Sequence, residues 1–140
     1  MTSKQQMSGM RGVYLAAAEL ARRGFIVSPT TRSAAGADLL ITDDSCRNAY
    51  SVQVKTITGG YDYWLLNAKA GVIASDSHLH LFVDICDDEG TVDFFIVPSK
   101  KVSKHHYVVR HPGGNVWYGI SREDVEKHQI DLKPGRRTTR

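Results

Sequence analysis

The sequence has little of what membrane-spanning and secreted proteins need. It contains no run of about 18 apolar residues, so it predicts no transmembrane helix. The N-terminal residues 1–6 lack the apolar stretch of a signal peptide. There are only two cysteines, and the separation of Cys46 and Cys86 along the chain favours reduced thiols over a disulfide. We therefore expect a cytoplasmic protein with no membrane partner.

A strong excess of either charge is also absent. The 140 residues carry a net charge of +3 and a pI of about 8.9, which is compatible with a polyanionic partner without indicating one. The chain has no internal repeat and no low-complexity segment. Its length predicts a single domain over residues 1–132, followed by a disordered basic tail over residues 133–140.

The first strong pattern is helical. Residues 9–23 are rich in alanine, and Val13, Ala17 and Leu20 recur at the spacing of one helix face. Gly24 is typical of the residue that follows a helix. We therefore expect a helix over residues 9–23.

A β-hairpin is predicted next. Residues 37–42 and 50–56 are rich in β-branched and aliphatic side chains, and the segment between them is polar turn sequence. A hairpin centred between residues 45 and 46 pairs Asp38 directly with Gln53.

This hairpin collects three polar groups. Side chains alternate along a strand, so Gln53 and Lys55 are expected on the face of Asp38, while Val52 and Val54 take the other face and supply core. Strands built for packing alone rarely bring an acid, an amide and a lysine so close together. This combination is what a divalent-metal phosphodiesterase needs.

Later segments complete a sheet. Two short helices are expected, one opening at Pro98 and one at Ser121. The segments predicted as further strands are residues 25–28, 63–66, 79–85, 92–97 and 116–120. This order predicts an α/β or α+β fold around one mixed sheet flanked by helices.

Glu19 is the only acid before Gly36. It has two interpretations: a surface carboxylate that pairs with Arg22 or Arg23 at helical spacing, or a carboxylate that points over the sheet at Asp38. The polar face of the hairpin favours the second.

Four short motifs occur in order within residues 9–57: Gly12 with Glu19, Gly24-Phe25-x-Val27, Gly36-Ala37-Asp38-Leu39-Leu40, and Val52-Gln53-Val54-Lys55. Their order, spacing and secondary-structure context resemble the PD-(D/E)XK nuclease superfamily. That group includes archaeal Holliday-junction resolvases, many restriction endonucleases and RecB-type nucleases.

The resemblance implies a restriction-endonuclease-like αβββαβ core and a Mg²⁺- or Mn²⁺-dependent deoxyribonuclease. It implies that Glu19, Asp38 and Gln53 ligate the metal. Lys55 would be the catalytic lysine, which positions the attacking water or stabilises charge on the phosphate. The implied partner is DNA, and RNA stays open.

Gln53 departs from the Glu or Asp that the superfamily usually has there. Its amide oxygen can ligate a metal but carries no charge, so metal affinity should fall. The alternative function is therefore a catalytically inactive module that keeps the nuclease fold and binds nucleic acid or protein.

Other candidates carry less weight. His78 and His80 share a strand face, but no further ligand follows at zinc spacing, so a structural pair is favoured. The histidines at 105, 106 and 111 lie in a basic stretch. This stretch forms either a solvated face or a surface that contacts phosphate. Residues 59–64 form either a base-stacking loop or a turn with core aromatics.

Assembly follows from the implied chemistry. Cutting both strands of DNA, or a four-way junction, needs two sites related by a two-fold axis, so we expect a homodimer. Residues 79–85 or 94–97 are candidate contacts, and simple core strands are the competing interpretation. No helix-turn-helix pattern or separate recognition domain indicates a preferred DNA sequence.

Overall fold

The computed structural model describes residues 1–31, 36–66 and 73–135. Most of the predicted basic tail, residues 136–140, lies outside the described residues. Within them, no helix is both long and apolar enough to cross a membrane. The elements in chain order are α1 (Lys4–Arg22), β1 (Ile26–Pro29), β2 (Leu39–Thr42), β3 (Ala49–Thr58), β4 (Tyr63–Leu66), β5 (His78–Cys86), β6 (Thr91–Pro98), α2 (Ser99–His105), β7 (Tyr107–Arg110), β8 (Val116–Ser121) and α3 (Arg122–His128).

Helix α1 begins five residues before the predicted start. Ser3 and Gln6 form a reciprocal capping box: the Gln6 N–H donates to Ser3 Oγ at 3.1 Å, and the Ser3 N–H donates to Gln6 Oε1 at 2.9 Å. These bonds satisfy N–H groups that a helix start leaves unpaired, so the helix extends back to Lys4. Gly24, with φ of 100°, follows the helix as predicted.

The larger sheet has five strands in the order β1-β2-β3-β5-β6, with β3 and β5 parallel and the other pairs antiparallel. Helix α1 packs on one face of it. Ala16 and Leu20 of the helix are buried against Val52, Val54 and the alternate apolar residues of β5. This layer matches the helix-on-sheet arrangement that the sequence predicts.

Gly12 sets how closely α1 approaches the sheet. A Cβ atom on Gly12 would lie 1.8 Å from Oγ1 of Thr56 on β3. Only glycine permits this approach, so the glycine fixes the height of α1 above the sheet.

A second sheet, of order β4-β8-β7, lies on the other side of the first. Trp64 of β4 is fully buried there, 5.2 Å from the Phe82 ring of β5, and α2 and α3 contribute Val102 and Val125 to the same core. The sequence predicted the β4 and β8 strands but placed all strands in one sheet. Because β4 pairs with β8, far along the chain, local patterns do not reveal this second layer.

The β2–β3 hairpin has the predicted centre. Leu39 faces Val52 and Thr42 faces Ala49, which places the centre between residues 45 and 46. Fully buried Asp43 organises the turn by accepting hydrogen bonds from the Ser45 hydroxyl, the Arg47 N–H and the Asn48 side-chain amide.

Strand β5, one of the two predicted dimer contacts, is an internal strand. It lies between β3 and β6, and all of its residues except Cys86 are buried. It therefore forms core, which was the competing interpretation. Both cysteines are free thiols.

Candidate functional site

The candidate site lies where regular pairing of β2 with β3 ends. The last pair joins Leu39 to Val52. The N–H of Asp38 donates to the carbonyl of Val52 at 2.8 Å, so two consecutive residues of one strand meet one residue of the other. This is the arrangement of a β-bulge, and it replaces the predicted direct pairing of Asp38 with Gln53.

The bulge brings the Asp38 carboxylate into the hydrogen-bond ladder. Asp38 Oδ2 accepts from the Val54 N–H at 2.8 Å. In regular pairing the Ala37 carbonyl would accept this bond, but that carbonyl instead accepts from the Thr30 hydroxyl at 2.6 Å. The carboxylate is therefore fixed at the end of the β2–β3 pairing, and among the described residues its Oδ1 has no hydrogen-bond donor.

Gln53 and Lys55 lie on the face of β3 opposite α1. Val54 between them is buried against α1, and alternation turns its neighbours the other way. On the adjacent strand, Gln53 lies beside His80 and Lys55 beside Phe82. Gln53 is only 6% exposed, and Lys55 is partly buried.

A cleft of about 720 Å³ brings these residues together. Both faces of β3 reach the cleft where the β2–β3 pairing ends: Gln53 and Lys55 line it from one face and Val54 from the face of α1, together with Asp38. The N-terminal half of α1 supplies a wall. The wall residues are Gln6, Met7, Gly9, Met10, Val13 and Tyr14. The wall is thus an amide and apolar side chains, and Asp38 is the only carboxylate among the described residues that line the cleft.

The part of this wall formed by Gln6 and Met7 was missed from sequence, because the predicted helix began at Gly9. The signal that could have found it is the Ser3-x-x-Gln6 spacing of a capping box. Extending the helix to Lys4 brings Gln6 to the mouth of the cleft.

Glu19 does not join the other three predicted residues. Its carboxylate accepts from Arg22 Nη2 at 2.7 Å and from Arg23 Nε at 2.9 Å, which is the surface pairing that the sequence left open. It lies five residues beyond Tyr14, about 7 Å further along the helix, and it does not line the cleft. The hydrogen bond from Arg22 is the main reason that the pKa of Glu19 falls to about 2.

The environment of Lys55 changes its proton affinity. Burial lowers the pKa of Lys55, and the negative charge of Asp38 offsets part of that effect. An amine with a lowered pKa exchanges a proton more readily near neutral pH. Lys55 is therefore suited to move a proton or to donate to a charged oxygen in the cleft.

A buried histidine pair, His78 and His80, lies on β5 beside the strand that carries Gln53 and Lys55. His80 is fully buried and stacks on Phe82 at 5.8 Å, and burial is the main reason that its pKa falls to about 3. His78 Nδ1 lies 2.6 Å from the hydroxyl of Ser51. No third metal ligand among the described residues joins the pair.

The aromatic loop after β3 divides between core and surface. The indole N–H of buried Trp64 donates to the Val83 carbonyl at 3.1 Å. Tyr61 and Tyr63 are exposed, with ring centroids 6.1 Å apart. The loop therefore combines a core aromatic with two surface rings.

The fold is that of the restriction-endonuclease-like nucleases, as the sequence predicts. One solved structure with this fold is a Holliday junction resolvase from Archaeoglobus fulgidus, with a TM-score of 0.56 and 12% identity over 86% of this chain and 94% of that one. Another is a bacterial homing endonuclease, with a TM-score of 0.52 and 16% identity over 96% of this chain and 84% of that one.

At these identities the similarity concerns the fold. No protein-family model matches the sequence, and no curated protein matches it. The function therefore has to be argued from the cleft itself.

Proposed function

We propose that the protein is a metal-dependent endonuclease that hydrolyses phosphodiester bonds in DNA. The observation that carries the proposal is that Asp38, Gln53 and Lys55 line one cleft at the end of the β2–β3 pairing. The resolvase and the homing endonuclease with the same fold act on DNA, which supports DNA as the substrate class.

The donor set of the cleft suits a hard divalent cation. The Asp38 carboxylate and the Gln53 amide oxygen would hold Mg²⁺ or Mn²⁺, which prefer oxygen ligands. Mg²⁺ is commonly held by one or two carboxylates together with substrate phosphates, so a cleft with one carboxylate fits such a site at reduced affinity. When bound, the ion would polarise the phosphodiester and neutralise charge that develops on it.

Asp38 and Lys55 have different roles in the proposed reaction. The Val54 N–H holds Oδ2 of Asp38, which leaves Oδ1 to face a ligand. Lys55, with its lowered pKa, donates to a phosphate oxygen or takes a proton from the attacking water. Glu19 is left out of the proposed site because Arg22 and Arg23 occupy its carboxylate.

The test is cleavage of plasmid, branched and single-stranded DNA with Mg²⁺ or Mn²⁺. We expect Asp38→Asn and Lys55→Met to lower the rate by about 100-fold or more, since each removes a charged group from the reacting centre. Glu19→Gln is the matched control, because it removes an acid outside the cleft and should keep the rate. Cleavage that survives both cleft substitutions would contradict the proposal.

A second candidate is the inactive binding module. The single carboxylate in the described part of the cleft favours it, because one negative charge holds a divalent ion weakly. Calorimetry separates the two: absence of Mg²⁺ and Mn²⁺ binding, with DNA affinity that falls as salt rises, supports the module.

The homodimer stays part of the proposal. One cleft cuts one strand, so a double-strand cut at one place needs a second copy. Sedimentation at micromolar protein concentration tests this, and a monomer that makes such cuts would contradict it.

A further inference from the structure

Three potential metal ligands meet outside the cleft, where α2 contacts α3. His105 is the last residue of α2, and Asp124 and His128 lie one turn apart on α3. Each offers a ligand atom, and these three atoms lie within 4.8 Å of one another. All three residues are partly buried.

The two imidazoles are closely associated. Their centroids are 4.1 Å apart and their planes differ by 16°, so the rings stack. Nε2 of His128 is buried and has no hydrogen-bond partner among the described residues. A buried nitrogen without a partner is unfavourable, and a ligand that it could bind would remove that penalty.

Asp124 is already oriented by the helix start. Its N–H donates to the Ser121 hydroxyl at 3.1 Å, and that hydroxyl donates to Asp124 Oδ2 at the same distance. The Ser121 cap fixes the carboxylate beside the two rings. Two imidazoles and one carboxylate are the ligands of three-residue Zn²⁺ sites, which leave a fourth position for water.

We propose that His105, Asp124 and His128 form a binding site for Zn²⁺ or a similar transition-metal ion, which joins α2 to α3. Zn–N bonds of about 2.0–2.1 Å place two ligand nitrogens about 3.3 Å apart, so the rings rotate out of their stack when the ion binds. The imidazole–carboxylate set favours such an ion over the Mg²⁺ proposed for the cleft.

The charges around the cluster act in two directions. Burial is the first cause that lowers the pKa of His128, followed by the positive charges of His105, Lys101 and Lys127, while Asp124 raises it. The two lysines also repel a cation, so we expect micromolar rather than nanomolar affinity.

The test uses the full chain, freed of metal with a chelator and then titrated with Zn²⁺ by calorimetry and with Co²⁺ by visible absorption. We expect one ion per chain at this site and a Co²⁺ spectrum typical of tetrahedral coordination. His128→Gln and His105→Gln should each weaken binding by about 10-fold or more, since even partners of metal ligands have effects of this size.

His111→Gln is the matched control, because His111 lies outside the cluster and should leave the affinity unchanged. Asp38→Asn distinguishes this site from the cleft. Zn²⁺ binding that persists in the Asp38→Asn variant does not depend on the cleft carboxylate. Circular dichroism confirms that each variant is folded, and Asp124→Asn provides a further variant that keeps side-chain shape. Equal Zn²⁺ affinity in the wild type and in all three cluster variants, or no Zn²⁺ binding at all, would overturn the proposal.

Discussion

The carboxylate of Asp38 and the backbone N–H of Val54 are joined by a hydrogen bond of 2.8 Å. A side chain thus takes the place of a backbone carbonyl in the ladder between β2 and β3. This bond orients the one carboxylate that the described cleft contains, and it makes the sheet and the candidate site depend on the same residue.

Two substitutions of Asp38 should separate these roles. Asp38→Asn keeps an oxygen that can accept from Val54, so the free energy of unfolding should fall by less than about 1 kcal/mol. Asp38→Ala leaves the Val54 N–H without its acceptor and should cost about 1–3 kcal/mol. Both should abolish the binding of Mg²⁺ and Mn²⁺ in the cleft. Urea denaturation and calorimetry measure the two effects, and equal stability of Asp38→Ala and wild type would contradict the role of the bond.

Gln53→Glu should strengthen metal binding in the cleft. It adds a second carboxylate beside Asp38 and next to the positive charge of Lys55, which stabilises the charged form. We expect Mn²⁺ affinity to rise by about 10-fold, equivalent to about 1.4 kcal/mol. Gln5→Glu is the control, because it adds the same charge on an exposed part of α1. A similar gain in both variants would show a general charge effect instead.

Gly12→Ala should destabilise the fold, because the new Cβ would meet Thr56 Oγ1 at 1.8 Å and force α1 away from β3. We expect a loss of about 1–3 kcal/mol. Gly9→Ala, on the same helix with nothing within 4 Å of its Cβ, should gain up to about 1 kcal/mol from helix propensity.

The double variant Gly12→Ala/Thr56→Ala tests the cause of that loss. It should recover only part of the stability, since the Thr56 Cβ remains 2.8 Å from the added atom. Thermal unfolding measures all three variants. A neutral Gly12→Ala would show that the helix shifts without cost.

His80 should make the protein sensitive to acid. Its pKa is about 3 when folded and near 6.5 when unfolded, so the unfolded chain binds the proton first. The stability contribution is complete above pH 6.5 and is lost as the pH falls toward 3, by up to about 1.4 kcal/mol per pH unit.

His80→Phe should flatten this part of the pH dependence, because phenylalanine fills similar space and does not titrate. Unfolding free energies measured between pH 6.5 and 4.5 test this, with His111→Phe as the control at an exposed position. Parallel curves for wild type and His80→Phe would contradict the assignment.

Glu19→Gln should lower stability by about 1 kcal/mol at neutral pH without changing metal affinity, since Glu19 pairs with Arg22 and Arg23 outside the cleft. The folded pKa of Glu19 is about 2, below the ordinary 4.5. The contribution is therefore present above pH 4.5 and disappears as the pH falls toward 2. Asp87→Asn, which breaks the exposed pair with Arg11, should have almost no effect.

The sequence was most informative where neighbouring residues decide the outcome. The spacing of Val13, Ala17 and Leu20 predicted α1, and the turn chemistry predicted the hairpin centre, because both depend on short-range geometry. Alternation along β3 predicted that Gln53 and Lys55 share a face, and the structure places both in the cleft.

Features that depend on distant segments were beyond the sequence. The bulge at Asp38 is accompanied by a hydrogen bond from the Thr30 hydroxyl, on another segment, to the Ala37 carbonyl, which local sequence does not predict. The sequence offered Glu19 two alternative partners, the nearby arginines or the site at Asp38. The structure pairs it with Arg22 and Arg23, three and four residues away. Asp124 and His128 have helical spacing, but only tertiary packing reveals that His105 lies beside them.

The parallel pairing of β3 with β5 has consequences for the order in which the protein becomes structured. Because β3 and β5 are parallel, the chain after Thr58 must return to the start of β3 before β5 can pair with it, and the first pair is Ser51 with His78. All the described residues that line the cleft are synthesised by Lys55, whereas His80 and Phe82, which lie beside Gln53 and Lys55 on β5, come later. Closing such non-local contacts is slow compared with forming a hairpin. A chain emerging from the ribosome therefore contains Asp38, Gln53 and Lys55 before it contains the strand that packs beside two of them.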